Sequence, residues 1–497
     1  KKAAELLKQG RILAVKGLGG YHLAADAANS GSVKQLRRRK LREEKPFAIM
    51  SYDLDAIGRY ARVGNEEEKI LTSIQRPIVL LKKKKPNAIS TEVAPGNNYF
   101  GVMLPYAPLH YLLLEHGFEA LVMTSGNLSE EPIAIDNDDA FNRLGDIADY
   151  FLTHNRDIYL RSDDSIVRHT AGAKRFLRRS RGFVPIPVFL KNEIPPILAC
   201  GAELKNTICV TKQDKAFLSQ HIGDLENLPT YEFFELTIAH LKRILDIEPE
   251  IIACDMHPDY LSTRYALELK TDHHIQVQHH HAHIVSCMAE HKQGGALIGL
   301  SFDGTGYGSD GAIWGGEILV AREHDFERAG HLSYVPMPGS AAAIKEPWRM
   351  AVSYLQNAYG SDFHNLGLAA ITAIDTEKLT VIGDMISKGI NSPLTSSLGR
   401  LFDGVAAICG IRQRVSFEGQ AAMELEMLAT QDTGSIYDYA WDSGDAYRIL
   451  TGPIIRGVVD DVVKGKPMGE ISSRFHRTLI CLFTDLCVRI GKERGLN

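Results

Sequence analysis

The segment ALIGLSFDGTGYGSDGAIWGGEILVARE, residues 296–323, contains two apolar runs separated by a glycine-rich polar stretch. This pattern predicts strand, tight turn, strand. A similar layout is found in ILACGAELKNTICVTKQDKAFLSQHIGDL, residues 197–225, where three short strands and two turns are expected. Helical patterns fill residues 339–429 and 470–492. The recurrence predicts a duplicated α/β lobe, and each lobe should open with antiparallel strands and continue with helices.

A second region precedes these lobes. Residues 183–196, FVPIPVFLKNEIPP, contain four prolines and predict an extended linker, so we place a domain boundary near residue 191. We therefore expect an α/β domain at 1–191 and a two-lobed domain at 192–497, with lobes of roughly 192–295 and 296–497. Within the first domain we expect these strands and helices: Ile12–Val15, Phe47–Met50, Ile78–Leu81, Leu121–Met123, and helical Ser32–Glu44 and Leu109–His116.

Charge divides the chain at the same boundary. Residues 1–191 hold 30 Lys and Arg against 22 Asp and Glu, whereas the remainder holds 26 against 39. A basic, folded domain attracts polyanions, and both nucleotide phosphates and RNA fit that requirement. No run approaches the roughly 18 apolar residues of a membrane span, so no membrane partner is expected. The seven cysteines are scattered and form no Cys-x-x-Cys pair, which favours a reducing, cytoplasmic setting. The opening residues already follow a helix-like pattern, as expected for a piece of a longer polypeptide.

The first basic motif is KGLGGYHLAADAANSGSVKQLRRRKLREEKPFAIM, residues 16–50. A strand ends at Lys16, glycines follow, and a basic helix comes next. The i, i+4, i+8 spacing of Lys34, Arg38 and Arg42 predicts that they share one helix face, with Arg37 and Lys45 nearby. A solvated basic face is the plain alternative. Glycine backbone N–H groups beside lysine and arginine also suit triphosphate binding.

Further polar motifs follow in the same domain. VMTSGNLSEEP, residues 122–132, ends a strand with Thr124, Ser125, Asn127 and Ser129, although a simple turn is the favoured explanation of this segment taken alone. RSDDSIVR, residues 161–168, and LRRSRGFVP, residues 177–185, add polar groups and an arginine cluster. Four such elements in one small domain favour a binding site.

The second domain carries a histidine-rich motif, VQHHHAHIVSC, residues 277–287. His279 and His283 stand i, i+4 apart, so on a helix they face the same way and can bind one metal ion, while His280 and His281 face elsewhere. Asp303 is the best candidate for a carboxylate ligand. Gly304, Gly306 and Gly308 after it permit a tight loop near a phosphate. A bare hairpin turn remains an alternative, whereas the spacing lacks the acidic pattern of an EF-hand.

These motifs carry a family resemblance. Residues 1–191 resemble a YrdC-type domain, which forms acyl- or carbamoyl-adenylates from ATP. The matching positions are Lys16, Arg37, Lys45, Ser125, Asn127 and Arg181-Gly182. The resemblance implies that the cations among them offset charge as pyrophosphate leaves, and that Ser125 and Asn127 hydrogen-bond the substrate. Which of Arg178, Arg179 and Arg181 touches phosphate stays open.

Residues 192–497 resemble the two-lobed, actin- and kinase-like fold (ASKHA) of carbamoyl-transfer enzymes. Six segments in order resemble the HypF family, the carbamoyltransferases of NiFe-hydrogenase maturation: 203–207, 255–266, 279–283, 303–311, 397–407 and 417–426. The resemblance implies metal ligands at His279, His283 and Asp303. It also implies nucleotide contacts at Arg178, Lys205, Asn206, Thr207, Gly304 and Gly306, although a plain polar turn would explain residues 205–207 nearly as well.

What the resemblance implies about activity is specific. Carbamate derived from carbamoyl phosphate would react with ATP, with Mg²⁺ present, and the carbamoyl group would pass to the C-terminal cysteine of a HypE-type protein. The transition metal would be zinc or iron, and no nucleic acid is expected. The family's acylphosphatase domain, its zinc fingers and its C-terminal Gly-Gly-Val-Phe-Gln-Asn motif have no counterpart among these 497 residues, so only the last two stages are expected in this chain. The competing hypotheses are a tRNA threonylcarbamoyl-transfer fusion and a non-catalytic nucleotide-gated scaffold.

Overall fold

The fold is α/β throughout. A computed structural model describes residues 1–128, 131–271, 273–430 and 434–496, so Ser129 lies outside the described residues. The chain divides into two compact units, Lys1–Gln276 and Val277–Asn497. No described helix combines the length and apolar character needed to span a membrane.

A nine-stranded mixed sheet dominates the first part of unit 1, in the order β7-β1-β2-β6-β3-β5-β4-β8-β9. Its strands are β1 (Leu13–Lys16), β2 (Tyr21–Asp26), β3 (Ala48–Met50), β4 (Ile78–Lys82), β5 (Tyr99–Met103), β6 (Leu121–Ser125), β7 (Tyr150–Leu152), β8 (Ile166–Thr170) and β9 (Ala173–Arg178). The accompanying helices are α1 (Lys2–Lys8), α2 (Ser30–Lys40), α3 (Leu54–Tyr60), α4 (Asn65–Thr72), α5 (Pro108–Leu114) and α6 (Asn137–Leu144).

Both faces of this sheet are covered. Ala14 packs in one core cluster with Leu36 of α2, whereas the next residue, Val15, packs in another with Leu113 of α5. Successive side chains of a strand point to opposite faces, so β1 is apolar from Leu13 to Val15, and all four of its residues, including the final Lys16, are buried. The four strands predicted here each overlap an observed strand, and no end differs by more than two residues.

The basic helix is shorter than predicted. α2 ends at Lys40 because Leu41 adopts a left-handed conformation, with φ 52°. The N–H of Arg42 then bonds to the carbonyl of Arg37, which closes the helix end. The expectation that Lys34, Arg38 and Arg42 share a helix face is therefore wrong for Arg42, which lies beyond the helix.

The rest of unit 1 is a five-stranded sheet in the order β10-β12-β11-β13-β14. Its elements are β10 (Val188–Ile194), β11 (Ile197–Ala199), β12 (Cys209–Leu218), α7 (Leu228–Leu245), β13 (Ile251–Asp255), α8 (Leu261–Glu268) and β14 (His274–Val277). β11 and β12 form the expected antiparallel pair. However, β12 runs unbroken through the stretch where a second turn was expected, since it pairs on its other edge with β10, a strand formed by the proline-flanked linker itself.

Unit 2 begins with helix α9 (His279–Glu290) and a sheet in the order β18-β19-β16-β17-β21-β20, with β15 paired to β16. The strands are β15 (Leu297–Tyr307), β16 (Ile313–Ala321), β17 (Phe326–Leu332), β18 (Val335–Pro336), β19 (Leu394–Thr395), β20 (Ala440–Asp442) and β21 (Tyr447–Leu450). The further helices are α10 (Ala341–Lys345), α11 (Pro347–Tyr359), α12 (Ala369–Thr372), α13 (Thr376–Lys388), α14 (Leu398–Ile408), α15 (Gln420–Leu428), α16 (Gly452–Val463) and α17 (Met468–Arg494). The predicted hairpin is present as β15 and β16, which are antiparallel.

Candidate functional site

Three side chains of unit 2 converge on one point. His279 and His283 lie one turn apart on α9, whose N-cap is Gln278, and Asp303 lies on β15. Nε2 of His279 lies 3.1 Å from Oδ2 of Asp303 and 3.2 Å from Nε2 of His283. Nε2 of His283 lies 3.6 Å from the same carboxylate oxygen. The ligand atoms are all within 4.8 Å of one another, so the three residues predicted as a metal cluster are brought together.

The donor set of this cluster fits a divalent transition metal. Two imidazoles and one carboxylate are ligands that zinc and iron both accept, and three protein ligands leave a coordination position open for substrate. Burial alone would raise the pKa of Asp303, but hydrogen bonds from His279 and His283 outweigh it and lower the pKa. The carboxylate is therefore held in the ionised form that binds metal.

The other two histidines of the motif do point away, as expected. His280 is fully buried, its Nδ1 lies 3.3 Å from Nε2 of Gln278, and burial lowers its pKa to about 4. Nε2 of His281 lies 2.8 Å from the carbonyl of Arg322 and so donates to it. Both rings therefore help to fix the helix that carries the ligands.

Two of the three glycines after Asp303 do not lie in the predicted loop. Gly304 and Gly306 lie within β15, and the hairpin turn comes later, between Tyr307 and Ile313. A Cβ on Gly306 would lie 2.4 Å from the His280 ring, and one on Gly304 would lie 3.3 Å from Nη2 of Arg400. These glycines permit helices to pack closely on the strand that carries Asp303. The prediction of a loop was wrong for Gly304 and Gly306, because glycine serves close packing as well as turns, whereas Gly308 does lie in the hairpin turn; contact of these residues with phosphate stays a prediction.

A second cluster lies in unit 1, at the end of β6. Nζ of Lys40 donates to the carbonyls of Ser125 and Asn127, at 2.5 and 2.8 Å, and to Oδ1 of Asn127, at 2.8 Å. The Ser125 hydroxyl donates to the same Oδ1 at 2.7 Å. Lys40 is 2% exposed, and burial followed by repulsion from Arg42 holds its pKa well below the usual value. Sequence reasoning missed Lys40, whose only distinguishing sign is its place as the last residue of a basic helix.

Lys16 and Arg37 are buried but engage other partners. Nζ of Lys16 donates to Oδ1 of Asn137 at 2.8 Å, and the same oxygen accepts from the Tyr21 hydroxyl at 2.6 Å. Arg37 donates to five backbone carbonyls and so shapes the loop after α2. These carbonyls belong to residues 42, 43, 45, 92 and 93. This arrangement gives Arg37 a structural task.

Four cations of unit 1 lie within electrostatic reach of one another. Partial desolvation by the neighbouring protein, and then the charges of Arg42, Arg178 and Lys205, lower the pKa of Lys45, which still keeps access to solvent. Burial, Arg37 and Arg178 together lower the pKa of Arg42 to about 10. Lys45, Arg178 and Lys205 were predicted separately and are thus brought to one locality, and their mutual repulsion favours binding of an anion.

Two neighbouring carboxylates, Asp163 and Asp164, contact different arginines: Asp163 contacts Arg178, and Asp164 contacts Arg181. Arg181 donates from Nε to Asp164 at 2.7 Å and stacks on Tyr106 at 3.5 Å, and its other nitrogens bond to the carbonyls of Gln75 and Arg76. Oδ2 of Asp163 lies 3.4 Å from Arg178 and 2.8 Å from Nδ1 of His221. Arg178 therefore keeps more donor capacity for phosphate than Arg181 does.

The pair formed by His22 and one of these carboxylates was not foreseen. His22 lies opposite Ser125 on the neighbouring strand, and its Nε2 lies 3.1 Å from Oδ2 of Asp164. Burial would raise the pKa of Asp164, but His22 and Arg181 more than compensate and lower it. A single histidine and a single aspartate 142 positions apart give no local sequence signal.

Residues 205–207 form a turn between β11 and β12, as predicted. The N–H of Lys205 bonds to Oδ1 of Asp224 at 2.7 Å, and Lys205 has a positive φ of 49°. Asn206 is buried and donates to the carbonyl of Cys200 at 2.9 Å, while Thr207 is partly exposed. Asn206 therefore fixes the turn, and Lys205 presents its side chain to solvent.

Comparisons with known families match the chain in three consecutive segments. Residues 5–180 match the Sua5, YciO and YrdC family, described as telomere recombination. Residues 192–290 match the HypF Kae1-like domain, and residues 299–497 match the carbamoyltransferase Kae1-like domain, second subdomain. The fold and its sites thus define a YrdC-like domain followed by a Kae1-like carbamoyltransferase domain, as expected from the sequence.

Comparison with individual proteins identifies the family to which the chain belongs. HypF carbamoyltransferase of Rhizobium leguminosarum bv. viciae is 44% identical over the whole chain, which spans 65% of that relative's length. A crystal structure of full-length HypF in the phosphate- and nucleotide-bound form superposes with a TM-score of 0.96 at 46% identity, covering all of this chain and 78% of the other. A crystal structure of T. kodakarensis HypF superposes with a TM-score of 0.93 at 38% identity, covering all of this chain and 66% of the other. The chain belongs to the HypF carbamoyltransferase family.

Proposed function

We propose that this chain carries out the carbamoyl-adenylate and carbamoyl-transfer stages of NiFe-hydrogenase maturation. The observation that carries the proposal is the match to HypF along the whole chain, at 46% identity to a protein whose structure holds phosphate and nucleotide. The chain spans only 65% of the length of the Rhizobium relative, so the activity is assigned to the two stages for which sites are present. The three matched segments support domain boundaries near residues 191 and 295.

The first stage is assigned to the domain at residues 1–191. A carbamate oxygen attacks the α-phosphorus of ATP, the bond from that phosphorus to the bridging oxygen breaks, and pyrophosphate leaves. Arg42, Lys45 and Arg178, whose charges repel one another, offset the negative charge of the phosphates. Nζ of Lys40 bonds to Ser125 and Asn127 and so fixes both residues at the end of β6.

Other predicted residues support this site. Lys16 is anchored by Asn137, so its ammonium has a fixed position at the end of β1. Arg37 and Arg181 are committed to carbonyl and carboxylate acceptors, so we assign them to shaping the site. Lys205, Asn206 and Thr207 provide a turn whose lysine contributes to the same cationic locality and can contact the nucleotide.

The second stage is assigned to the Kae1-like domain. The acceptor thiolate attacks the carbamoyl carbon, the bond from that carbon to the phosphate oxygen breaks, and AMP leaves. His279, His283 and Asp303 would hold a zinc or iron ion, which supplies Lewis-acid stabilisation of developing negative charge when bound. Burial raises the pKa of Cys200, Cys209 and Cys409 to about 12, so these thiols are poor candidates for a covalent intermediate and direct transfer is favoured.

The partners follow from this assignment. The acceptor is the C-terminal cysteine of a HypE-type protein, and the small substrates are ATP with Mg²⁺ and carbamate derived from carbamoyl phosphate. All seven cysteines are unpaired, in keeping with a cytoplasmic location. Neither a membrane nor a nucleic acid is required.

The purified 497-residue chain tests the proposal directly. It is incubated with ATP, Mg²⁺ and fresh carbamate in one reaction, and with ATP, Mg²⁺, threonine and bicarbonate in another, and the adenylates are measured by mass spectrometry. We expect carbamoyl-adenylate in the first reaction and none in the second. Threonylcarbamoyl-adenylate would instead indicate the tRNA-modification chemistry, and the absence of both products from a folded chain that binds ATP would indicate a nucleotide-binding scaffold.

A further inference from the structure

The N-terminus of α14 is built against the backbone of the metal-ligand candidate Asp303. Ser397, the N-cap of α14, is fully buried. Its hydroxyl donates to the carbonyl oxygen of Asp303 at 2.7 Å and accepts from the N–H of Arg400 at 3.2 Å. One side chain therefore joins the helix end to the strand residue that carries the carboxylate.

Close packing holds the same peptide group from two sides. A Cβ on Gly399, in the first turn of α14, would lie 2.9 Å from Cα of Gly304 and 3.2 Å from the carbonyl oxygen of Asp303. A Cβ on Gly315, across the hairpin, would lie 2.5 Å from that same oxygen. The peptide group that links Asp303 to Gly304 thus has little room to shift.

We propose that Ser397 and Gly399 are positioning residues for the metal centre. They fix the main chain of Asp303, so that its carboxylate stays within reach of Nε2 of His279 and His283. The inference rests on the proposed metal site and extends it to the segment SLGRLFDGVAA, residues 397–407, which no step of the chemistry above explains. Neither residue touches the reacting atoms.

The physical basis is the precision that metal coordination demands. A ligand set works only within about 0.5 Å and 10–20° of the productive geometry, and groups that orient the ligands typically contribute 10–100-fold in metal affinity. Loss of the Ser397 hydroxyl removes the only side-chain hydrogen bond to the Asp303 carbonyl that the described residues provide. A side chain on Gly399 acts differently, because it pushes the peptide group out of place.

The adjacent serine provides a matched control. Ser396 is 1% exposed, and its hydroxyl donates to Oε1 of Glu317 at 2.6 Å instead of to a metal-ligand candidate. Ser397→Ala and Ser396→Ala therefore each remove one buried hydroxyl, and we expect similar losses of thermal stability. Only Ser397→Ala is expected to change the metal centre.

Metal binding is measured in the whole chain by competition with a chromophoric chelator for Zn²⁺, and by the d–d absorption spectrum of the Co²⁺ form. We expect Ser397→Ala to weaken Zn²⁺ affinity about 10-fold and to alter the Co²⁺ spectrum. Ser396→Ala should keep the affinity within about twofold and the spectrum unchanged. Equal weakening by both variants, or no weakening by Ser397→Ala, would overturn the proposal.

A second pair of variants decides the matter if loss of the Ser397 hydroxyl prevents folding. Gly399→Ala places a methyl group against the peptide of Asp303, whereas Gly383→Ala, on helix α13, places one in open space. We expect about 10-fold weaker Zn²⁺ binding for Gly399→Ala alone, and equal affinities for the two variants would contradict the positioning role. A folded, unaltered chain that binds no Zn²⁺ or Co²⁺ would overturn the metal site itself, and the positioning role with it.

Discussion

The two charged clusters of this molecule are built in opposite ways. In unit 1, the buried cations Lys40 and Arg37 are satisfied by acceptors of the protein itself, mostly backbone carbonyls. In unit 2, the nitrogen and oxygen atoms of His279, His283 and Asp303 converge on one another. The cluster in unit 1 consists of cationic side chains, whereas the cluster in unit 2 consists of side chains that can bind a metal cation.

This difference separates what maintains the fold from what binds. Removing a partner from a satisfied buried pair leaves an uncompensated charge, so substitutions in unit 1 should affect stability first. The metal-ligand candidates crowd similar groups together, so substitutions there should affect metal binding first. The predictions below test that separation.

The largest expected effect concerns Asp164, which accepts from both Arg181 and His22 in the interior of unit 1. We expect Asp164→Ala to lower the free energy of unfolding by about 3 kcal/mol, because it leaves a buried guanidinium without its carboxylate. Asp259→Ala breaks an exposed pair with Arg264 and should lower it by less than about 1 kcal/mol. Urea unfolding of both variants gives the comparison, and equal losses would contradict it.

The same aspartate gives a pH prediction. The pKa of Asp164 is lowered in the folded chain, so its stabilisation is present above the unfolded value of about 4 and is lost as pH falls through the folded value. The stability difference between the unaltered chain and Asp164→Ala should therefore shrink as the solution becomes more acidic than about pH 4. A stability difference that grows as pH falls would show that the ionised carboxylate of Asp164 is not the stabilising form.

The next effect concerns the metal centre. We expect His279→Ala to weaken Zn²⁺ binding by at least about 100-fold, because loss of a ligand should exceed the 10–100-fold effect of groups that only orient ligands. Thermal stability without metal should change little. His291→Ala, an exposed histidine at the end of the same helix, is the control and should bind Zn²⁺ normally. Equal affinities for the two variants would remove His279 from the ligand set.

A smaller effect is expected at a buried acid of helix α14. Burial raises the pKa of Asp403 to about 6, and the nearby charge of Arg400 offsets this only in part. The protonated Asp403 carboxyl contributes its full share to folding stability below the unfolded pKa of about 4, and this contribution is lost as pH rises through the folded pKa of about 6. The free energy of unfolding of the unaltered chain should therefore fall by about 2–3 kcal/mol more than that of Asp403→Asn between pH 4 and pH 7. Parallel pH profiles for the two proteins would contradict this.

The sequence predicted those features that depend on neighbours along the chain. The i, i+4 pair on α9 needs only a helix, and the hairpin of β15 and β16 needs only two apolar runs and a turn. The end of α2 was missed because a left-handed Leu41 has no glycine to mark it.

Features that depend on packing between distant segments could not be foreseen. Lys40 reaches Ser125 and Asn127 across 85 and 87 positions, and Gly306 is required by the approach of His280 and not by a turn. β12 is continuous where it pairs with β10. The sequence did not predict β10 as a strand, because prolines lie on both sides of it. Long-range contacts of this kind leave no periodic signal in the sequence.

The measurement that tests the account most directly separates the two stages with two variants of the whole chain. Lys40→Met and His279→Ala are each assayed for formation of carbamoyl-adenylate from ATP and carbamate, and for transfer from supplied carbamoyl-adenylate to a HypE-type protein. We predict that Lys40→Met fails to form the adenylate but still transfers the supplied group, and that His279→Ala forms the adenylate but fails to transfer it. Loss of both activities in either folded variant, or loss of the opposite activity, would contradict the assignment of one stage to each cluster.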